Sequence, residues 1–298
     1  MSLASDTHVT ERWDLGLTTQ YDVVDRLDSE ATPFQALEIV ETKMFGKMLL
    51  LDGVVQTTEH DEFLYHEMMV HVPMLAHGAA KRVLIIGGGD GGILREVLKH
   101  DCVEQAVMVE IDPAVPEFCA RALPSLSTGA FDDPRAELIY ADGAEWVAET
   151  DREFDVMIVD STDPIGPGAI LFEREFYQNS AHILDPAHGV FVRQSGSIWT
   201  QPDELPQCIA LADEVFAHAA GYLYSVPTYV GGLFSSLFAS HGISPEPDLP
   251  ALQTRFKRAA LAGDTRAYTP EIHFGAFALP PFLQDRIDEF RRQFTKEK

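Results

Sequence analysis

Asp160 and Asp163 stand three residues apart, where an apolar run gives way to a Pro/Gly-rich loop: Phe154-Asp-Val-Met-Ile-Val-Asp160-Ser-Thr-Asp163-Pro-Ile-Gly-Pro167-Gly168. Two carboxylates so placed can hold an ammonium group and accept its proton. Asp before Pro also initiates turns, which is enough to explain Asp163 taken by itself. Another acid, Asp90, lies inside the glycine loop Ile86-Gly-Gly-Gly-Asp90-Gly-Gly92, where Gly87, Gly89 and Gly92 satisfy GxGxxG. Glycines there let the backbone turn tightly against a ligand. Glu110 follows Gly92 by 18 residues, the spacing at which a strand-end carboxylate accepts hydrogen bonds from a ribose diol. A pyrophosphate beside this loop would be repelled by Asp90, so the ligand is uncharged or cationic at that point. An S-adenosyl sulfonium compound fits. Asp142-Gly143 offers a carboxylate to an adenine amine and a backbone N–H to a ring nitrogen, although Asp-Gly is equally a plain turn.

These residues need strands that end at one edge. Val83–Ile86, Val107–Ile111, Ala136–Tyr140 and Phe154–Asp160 are short apolar runs, with helical segments such as Ile93–Lys99 between them. Gly189–Arg193, Tyr222–Val226 and Leu233–Ala239 continue the series, with a helix near Glu204–His218. The pattern predicts an α/β fold with a mostly parallel, doubly wound sheet. Upstream, residues 20–60 read as strands, and Asp52-Gly53 between two apolar runs marks a hairpin. A helix follows over Glu62–Leu75, with Pro73 in its last turn. The boundary is expected within residues 76–80, giving a β-strand domain over 1–78 and a catalytic domain over 79–298.

The chain has 298 residues, 47 Asp+Glu and 22 Lys+Arg, a net charge of −25. Such acidity argues against nucleic acid and against anionic lipid as partners. It favours cations, or serves solubility in salt. Ala219–Ser240 carries no charge over 22 residues but contains Pro227, Gly231 and Gly232, so two buried strands and a turn are expected there, not a membrane span. Met1–Thr10 shows no signal-peptide pattern. Cys102, Cys119 and Cys208 form no disulfide framework, which suits a reducing cytoplasm. His66 and His71 are five apart, not the four of a zincin, so no metal is expected.

From about Trp13 to Gln284 the chain resembles the polyamine aminopropyltransferases, bacterial spermidine synthases in particular. The resemblance rests on Leu51-Asp-Gly-Val-Val-Gln-Thr-Thr-Glu59, Asp61-Glu-Phe-Leu-Tyr-His-Glu-Met-Met69, the glycine loop, Val109-Glu-Ile-Asp112, the Asp160–Gly168 segment, Pro227-Thr-Tyr229 and Ala276-Phe-Ala-Leu-Pro280. It implies a small N-terminal β domain, a methyltransferase-like Rossmann domain, and a homodimer or homotetramer. It also implies aminopropyl transfer from decarboxylated S-adenosylmethionine to putrescine, with spermidine and 5′-methylthioadenosine as products. That donor is a co-substrate, and no resident cofactor is expected. Carried over by motif, Gln35, Glu110, Asp142, Gly143 and Pro167 would meet the methylthioadenosine part, and Asp90 the aminopropyl amine. Tyr65, His66, Asp163 and Tyr229 would meet the polyamine, with Gln56 beside them. Asp160 would accept the proton.

Charge agrees with this assignment. Asp90 would repel the carboxylate of intact S-adenosylmethionine and attract the bare ammonium of the decarboxylated compound. One departure concerns the acceptor. Many relatives carry an acid after the strand near Phe191–Arg193, whereas this chain reads Arg193-Gln-Ser-Gly-Ser197. Cadaverine, agmatine or a longer polyamine therefore stays open beside putrescine. A small-molecule methyltransferase, an NAD-dependent oxidoreductase and a non-catalytic polyamine binder are the competing readings. Asp90 argues against the first two, and an Asp160→Asn variant separates the third.

Overall fold

The computed structural model describes residues 7–13, 16–161 and 166–296. Asp163 and part of the Pro/Gly-rich loop therefore lie outside the described residues. For Pro167 only the backbone is described, in a 3-10 turn over Gly166–Phe172.

The first strands are β1 (His8–Arg12), β2 (Thr18–Ala31), β3 (Ala36–Thr42), β4 (Gly46–Leu51) and β5 (Val54–Thr58). They form an antiparallel sheet in sequence order. The Asp52-Gly53 turn joins β4 to β5, and both residues take the positive φ expected of such a hairpin, 50° and 80°. Helix α1 (Glu62–His77) runs two residues past the expected Leu75, through Pro73. It stops where Gly78 turns left-handed and donates its N–H to Met74.

The rest alternates as expected: β6 (Arg82–Gly87), α2 (Gly92–Leu98), β7 (Gln105–Glu110), α3 (Ala114–Ala122), α4 (Pro124–Ser127), β8 (Ala136–Tyr140), α5 (Gly143–Glu149), β9 (Val156–Asp160) and α6 (Arg174–His182). Then come β10 (Val190–Ser197), α7 (Glu204–Ala212), β11 (His218–Ser225), β12 (Leu233–Ser240), α8 (Leu249–Arg258), α9 (Pro270–Ala276) and α10 (Pro281–Lys296). The expected helix over 204–218 ends at Ala212, because β11 starts at His218. The uncharged stretch is the antiparallel pair β11–β12 and its turn.

The seven strands are ordered β11-β12-β10-β9-β6-β7-β8. The five from β10 to β8 are parallel, and β12 and β11 add an antiparallel edge. This is the methyltransferase-like Rossmann sheet. Alternate side chains of each buried strand enter two different cores. Val83, Ile85, Val156 and Ile158 pack with α1, α2 and Leu252 of α8. Leu84, Ile86, Met157 and Val159 pack with α5, α6, α7 and Ile287 of α10. Strands buried on both faces read as continuous apolar runs, hence Val83–Ile86.

Helix α1, grouped by sequence with the N-terminal strands, sends Met68, Met69, Val72 and Leu75 into the first of these cores. Its residues 65 and 66 thereby reach the carboxyl edge of the large sheet. Two further ties join the sheets. Asp61 accepts the Thr228 N–H and Oγ1–H at 2.9 and 2.7 Å, and Tyr21 donates to the Thr228 carbonyl at 2.8 Å.

Candidate active site

The chain leaves β6 toward β7 on one side and reaches β9 and β10 on the other. Ligands of open α/β sheets bind at such a reversal, outside the carboxyl ends of the strands. A cavity of about 840 Å³ lies there. Gln35, Gln56, Tyr65, His66, Asp90, Glu110, Asp142, Gly143, Asp160 and Tyr229 all line it. Every expected site residue whose side chain is described is thus brought together.

The glycine loop is fitted to its neighbours. A Cβ on Gly87, whose φ is +80°, would sit 2.1 Å from the Asp160 carbonyl oxygen. A Cβ on Gly92 would fall 2.2 Å from the His66 ring. The loop therefore lies directly against Asp160 on one side and His66 on the other, and no side chain fits between.

At one end of the cavity the acids are held by main-chain amides. Glu110 ends β7, is buried, and accepts the Asp112 N–H at 3.0 Å. Burial pushes its carboxyl up to about 7, against the pull of that amide. Asp142 caps α5 through Oδ1, which accepts from Ala144 N at 2.8 Å and Glu145 N at 3.2 Å. The plain capping explanation thus holds for Oδ1, while the residue still faces the cavity. Gln35 donates to Asp112 at 3.3 Å.

At the other end the acids meet side chains. Tyr65 Oη donates to Asp160 Oδ1 at 2.5 Å. Burial, then the neighbouring Asp90 charge, raises the Asp160 carboxyl to about 6. His66 Nε2 lies 3.3 Å from Asp90 Oδ2, and its Nδ1 lies 2.6 Å from Glu62 Oε2. Burial opposes the charged imidazole, but Asp90 and Glu62 outweigh it and lift His66 to about 10. Burial likewise opposes ionised Asp90, yet His66 and the Gly92 amide hold it below the ordinary carboxylate range. His71 has other partners, Glu96 and His100, both at 3.0 Å. Among the described residues no group of three or more His, Cys, Asp or Glu side chains is arranged to hold a metal.

The aromatic wall is Tyr65, Tyr229 and Phe234, with ring centroids 4.8 to 5.9 Å apart. Tyr229 Oη donates to the Gln56 carbonyl at 2.7 Å, and the Gln56 side-chain amide donates to the Val54 carbonyl at 3.2 Å. Tyr65 is 4% exposed: it is a core aromatic and also a cavity group.

Sequence reasoning missed several lining residues. Glu11 faces the cavity while accepting Val55 N at 2.8 Å. Gln194 faces it while donating to the Ser161 carbonyl at 3.0 Å. No motif signals Glu11. Gln194 lies in the β10 segment Arg193–Ser197, which carries no acid. Its neighbour Arg193 is wholly buried, donates to the Leu171 carbonyl at 2.6 Å and lies 3.6 Å from the Phe172 ring centre.

Fold and cavity together define a Rossmann-type protein with a second, antiparallel sheet closing its site. Residues 62–246 match the family model for the spermine/spermidine synthase domain, and residues 8–59 match that for the spermidine synthase tetramerisation domain. The chain belongs to the spermidine synthase family of polyamine aminopropyltransferases. It is 52% identical over 254 residues to the polyamine aminopropyltransferase of Ruegeria sp. (strain TM1040), covering 85% of this chain and 88% of that protein. It is 48% identical over 272 residues to that of Serratia proteamaculans (strain 568), covering 91% and 94%. A crystal structure of a spermidine synthase in complex with the transition state analogue AdoDATO aligns at TM-score 0.89 and 38% identity, over 96% of each chain. The spermidine synthase of Thermotoga maritima aligns at 0.86 and 37%, over 96% of this chain and 95% of that one.

Proposed function

We propose that this aminopropyltransferase uses decarboxylated S-adenosylmethionine as donor and putrescine as acceptor, forming spermidine and 5′-methylthioadenosine. The observation that carries the reading is the pair Asp90 and Asp160, which line one cavity and whose acidities are driven apart. Asp90 is kept ionised 3.3 Å from His66, whereas burial and the Asp90 charge make Asp160 the more basic carboxylate, at about 6. An anion suited to holding an ammonium next to a carboxylate suited to taking a proton is what amine alkylation needs.

The donor's adenosine lies at the amide-held end. Asp142 Oδ2 accepts from the adenine amine, and Glu110 accepts from the ribose hydroxyls. The donor's ammonium faces Asp90, which repels the carboxylate of intact S-adenosylmethionine. Putrescine lies along Tyr65, Tyr229 and Phe234, whose ring faces suit a cation and its methylene chain. Its leading nitrogen loses a proton to Asp160 and attacks the carbon next to sulfur. The new C–N bond forms as the C–S bond breaks, and that electron pair stays on sulfur as a neutral thioether. No acid is required for the leaving group. Asp160 near 6 is a weak base for an amine, so alignment of nitrogen with the C–S bond supplies much of the rate.

The working protein is a homodimer or homotetramer, a reading supported by the tetramerisation-domain match and by Leu17, Val24, Leu27 and Met44, exposed in the N-terminal sheet and its turns. A cytoplasmic location is supported by three free cysteines. Among the described residues no helix is long and apolar enough to cross a membrane.

The test is incubation with decarboxylated or intact S-adenosylmethionine and a panel of putrescine, cadaverine, agmatine and spermidine, with products identified by mass spectrometry. Methylthioadenosine and spermidine from the decarboxylated donor and putrescine are expected. A faster reaction with another amine would replace the acceptor, and S-adenosylhomocysteine as product would sink the reaction.

A further inference from the structure

Asp90 is the inner end of a run of charges reaching outward between α1 and α2. His66 joins Asp90 to Glu62. The same Glu62 oxygen accepts from Arg95 Nη2 at 2.8 Å, and that nitrogen also lies 2.7 Å from Glu96 Oε1. Glu96 Oε2 meets Lys99 Nζ at 3.0 Å, and Lys99 reaches Asp264 near the surface. With His66 charged, the signs alternate at each step from Asp90 to Lys99. Glu62 and Glu96 are almost wholly buried. Only Asp90 and His66 of this run line the cavity. Glu62, Arg95 and Glu96 do not line the cavity and meet it only through His66.

Buried charges of one sign are tolerated only where the opposite sign is held in good geometry. Asp90 Oδ1 accepts the Gly92 N–H at 2.7 Å, and Oδ2 faces His66. The imidazole is fixed in turn by Glu62, and Glu62 by Arg95. Resting on the reading of Asp90 as the partner of the donor's ammonium, we propose that Glu62, anchored by Arg95, is a positioning residue. It holds His66 as a cation and, through it, keeps Asp90 oriented and charged in the cavity.

The charged and titratable groups around this point come from several elements. His66 faces Glu62 and Tyr65 on its own helix, Asp90 of the glycine loop and Asp160 of β9. Asp90 also feels Arg95 of α2 and Cys119 of α3. Burial pushes the Cys119 thiol up, so it is neutral and adds no charge. The positive charge nearest Asp90 and Asp160 is therefore His66. Neutralising Glu62 removes one of the two anions that keep His66 protonated. An uncharged His66 no longer lowers either carboxyl, so both Asp90 and Asp160 must rise.

The experiment follows the His66 ring by NMR through a pH titration, first in the unmodified protein without substrate. His66 is expected to stay protonated past pH 8. In Glu62→Gln its midpoint falls by about one pH unit or more. The rise of donor KM that accompanies loss of the His66 charge then begins about one pH unit lower on the alkaline side, while the acidic limb, where His66 is still charged, stays in place. A residue that merely packs α1 would lower Tm while leaving the His66 midpoint and the pH profile in place. A neutral His66 at pH 7 in the unmodified protein overturns the proposal, as does an unmoved midpoint in folded Glu62→Gln. Should that variant fail to fold, the unmodified titration alone decides. The titration needs no substrate, so its failure is read separately from any failure to transfer an aminopropyl group.

Discussion

The two ends of the cavity hold their carboxylates by different means. Glu110 and Asp142 are fixed by amides within three residues of themselves. Asp90 also takes a local amide, from Gly92, but it and Asp160 answer in addition to His66 and Tyr65, which arrive on a helix far away in sequence. Among the described residues no cation is one of the groups that set the Glu110 carboxyl, and burial leaves it at about 7. Asp90 and Asp160 have His66 beside them, and the two acids are driven apart in acidity. Local geometry suits recognition of a fixed shape. Coupled side chains suit a step in which charge must move.

The sharpest way to break this comparison is Asp160→Asn. Loss of the proton acceptor should lower kcat by about a thousandfold while donor binding survives, measured by single-turnover kinetics and calorimetry. Unchanged turnover would move Asp160 from chemistry to mere binding. Next comes Tyr65→Phe, expected to lower kcat by about tenfold or more. Its hydroxyl favours the ionised Asp160, so removal raises that carboxyl, and the acidic limb of the pH–rate profile should shift upward from about 6. A profile that stays in place would show that Tyr65 does not set that limb.

The amide-held end should respond in binding alone. Glu110→Gln is expected to raise the donor KM by about tenfold with kcat little changed. In the unmodified protein the donor favours ionised Glu110, so its affinity should weaken as pH falls through about 7. Titration calorimetry across that range checks this, and the dependence should vanish in the variant. The smallest effect belongs to Asp142→Asn. Asn remains a good helix cap, so Tm should hold and donor KM should rise only by about threefold. A collapse of Tm would make Asp142 chiefly a structural cap.

The same division explains what could be read from sequence. Glu110 and Asp142 follow apolar strands at spacings set by one βα unit, and their hydrogen bonds are local, so their places were legible. The sheet was legible because strands buried on both faces make unbroken apolar runs such as Val83–Ile86. Asp90 and Asp160 were visible as acids in suggestive loops, but their unequal acidity was not. That inequality comes from Tyr65 and His66, whose approach depends on where α1 packs. Sequence order assigns α1 to the strands before it, whereas its methionines fill the core of the sheet after it. Glu11 was illegible for a similar reason. It lies in β1, a short strand with no chemical motif, and only the closure of one sheet over the other brings it to the cavity.

Asp61 has a consequence for the heat of binding. One of its oxygens takes two bonds from Thr228, and the other takes the Thr58 hydroxyl at 2.5 Å. This buried side chain clamps the end of β5 to the turn that presents Tyr229, before any ligand arrives. The aromatic wall is therefore assembled during folding. Binding a polyamine there need order little of the wall, so its calorimetric signature should resemble entry into a rigid, preformed slot. The heat-capacity change should be small and set by the ligand's own methylene surface, without the larger change that accompanies the folding of a segment.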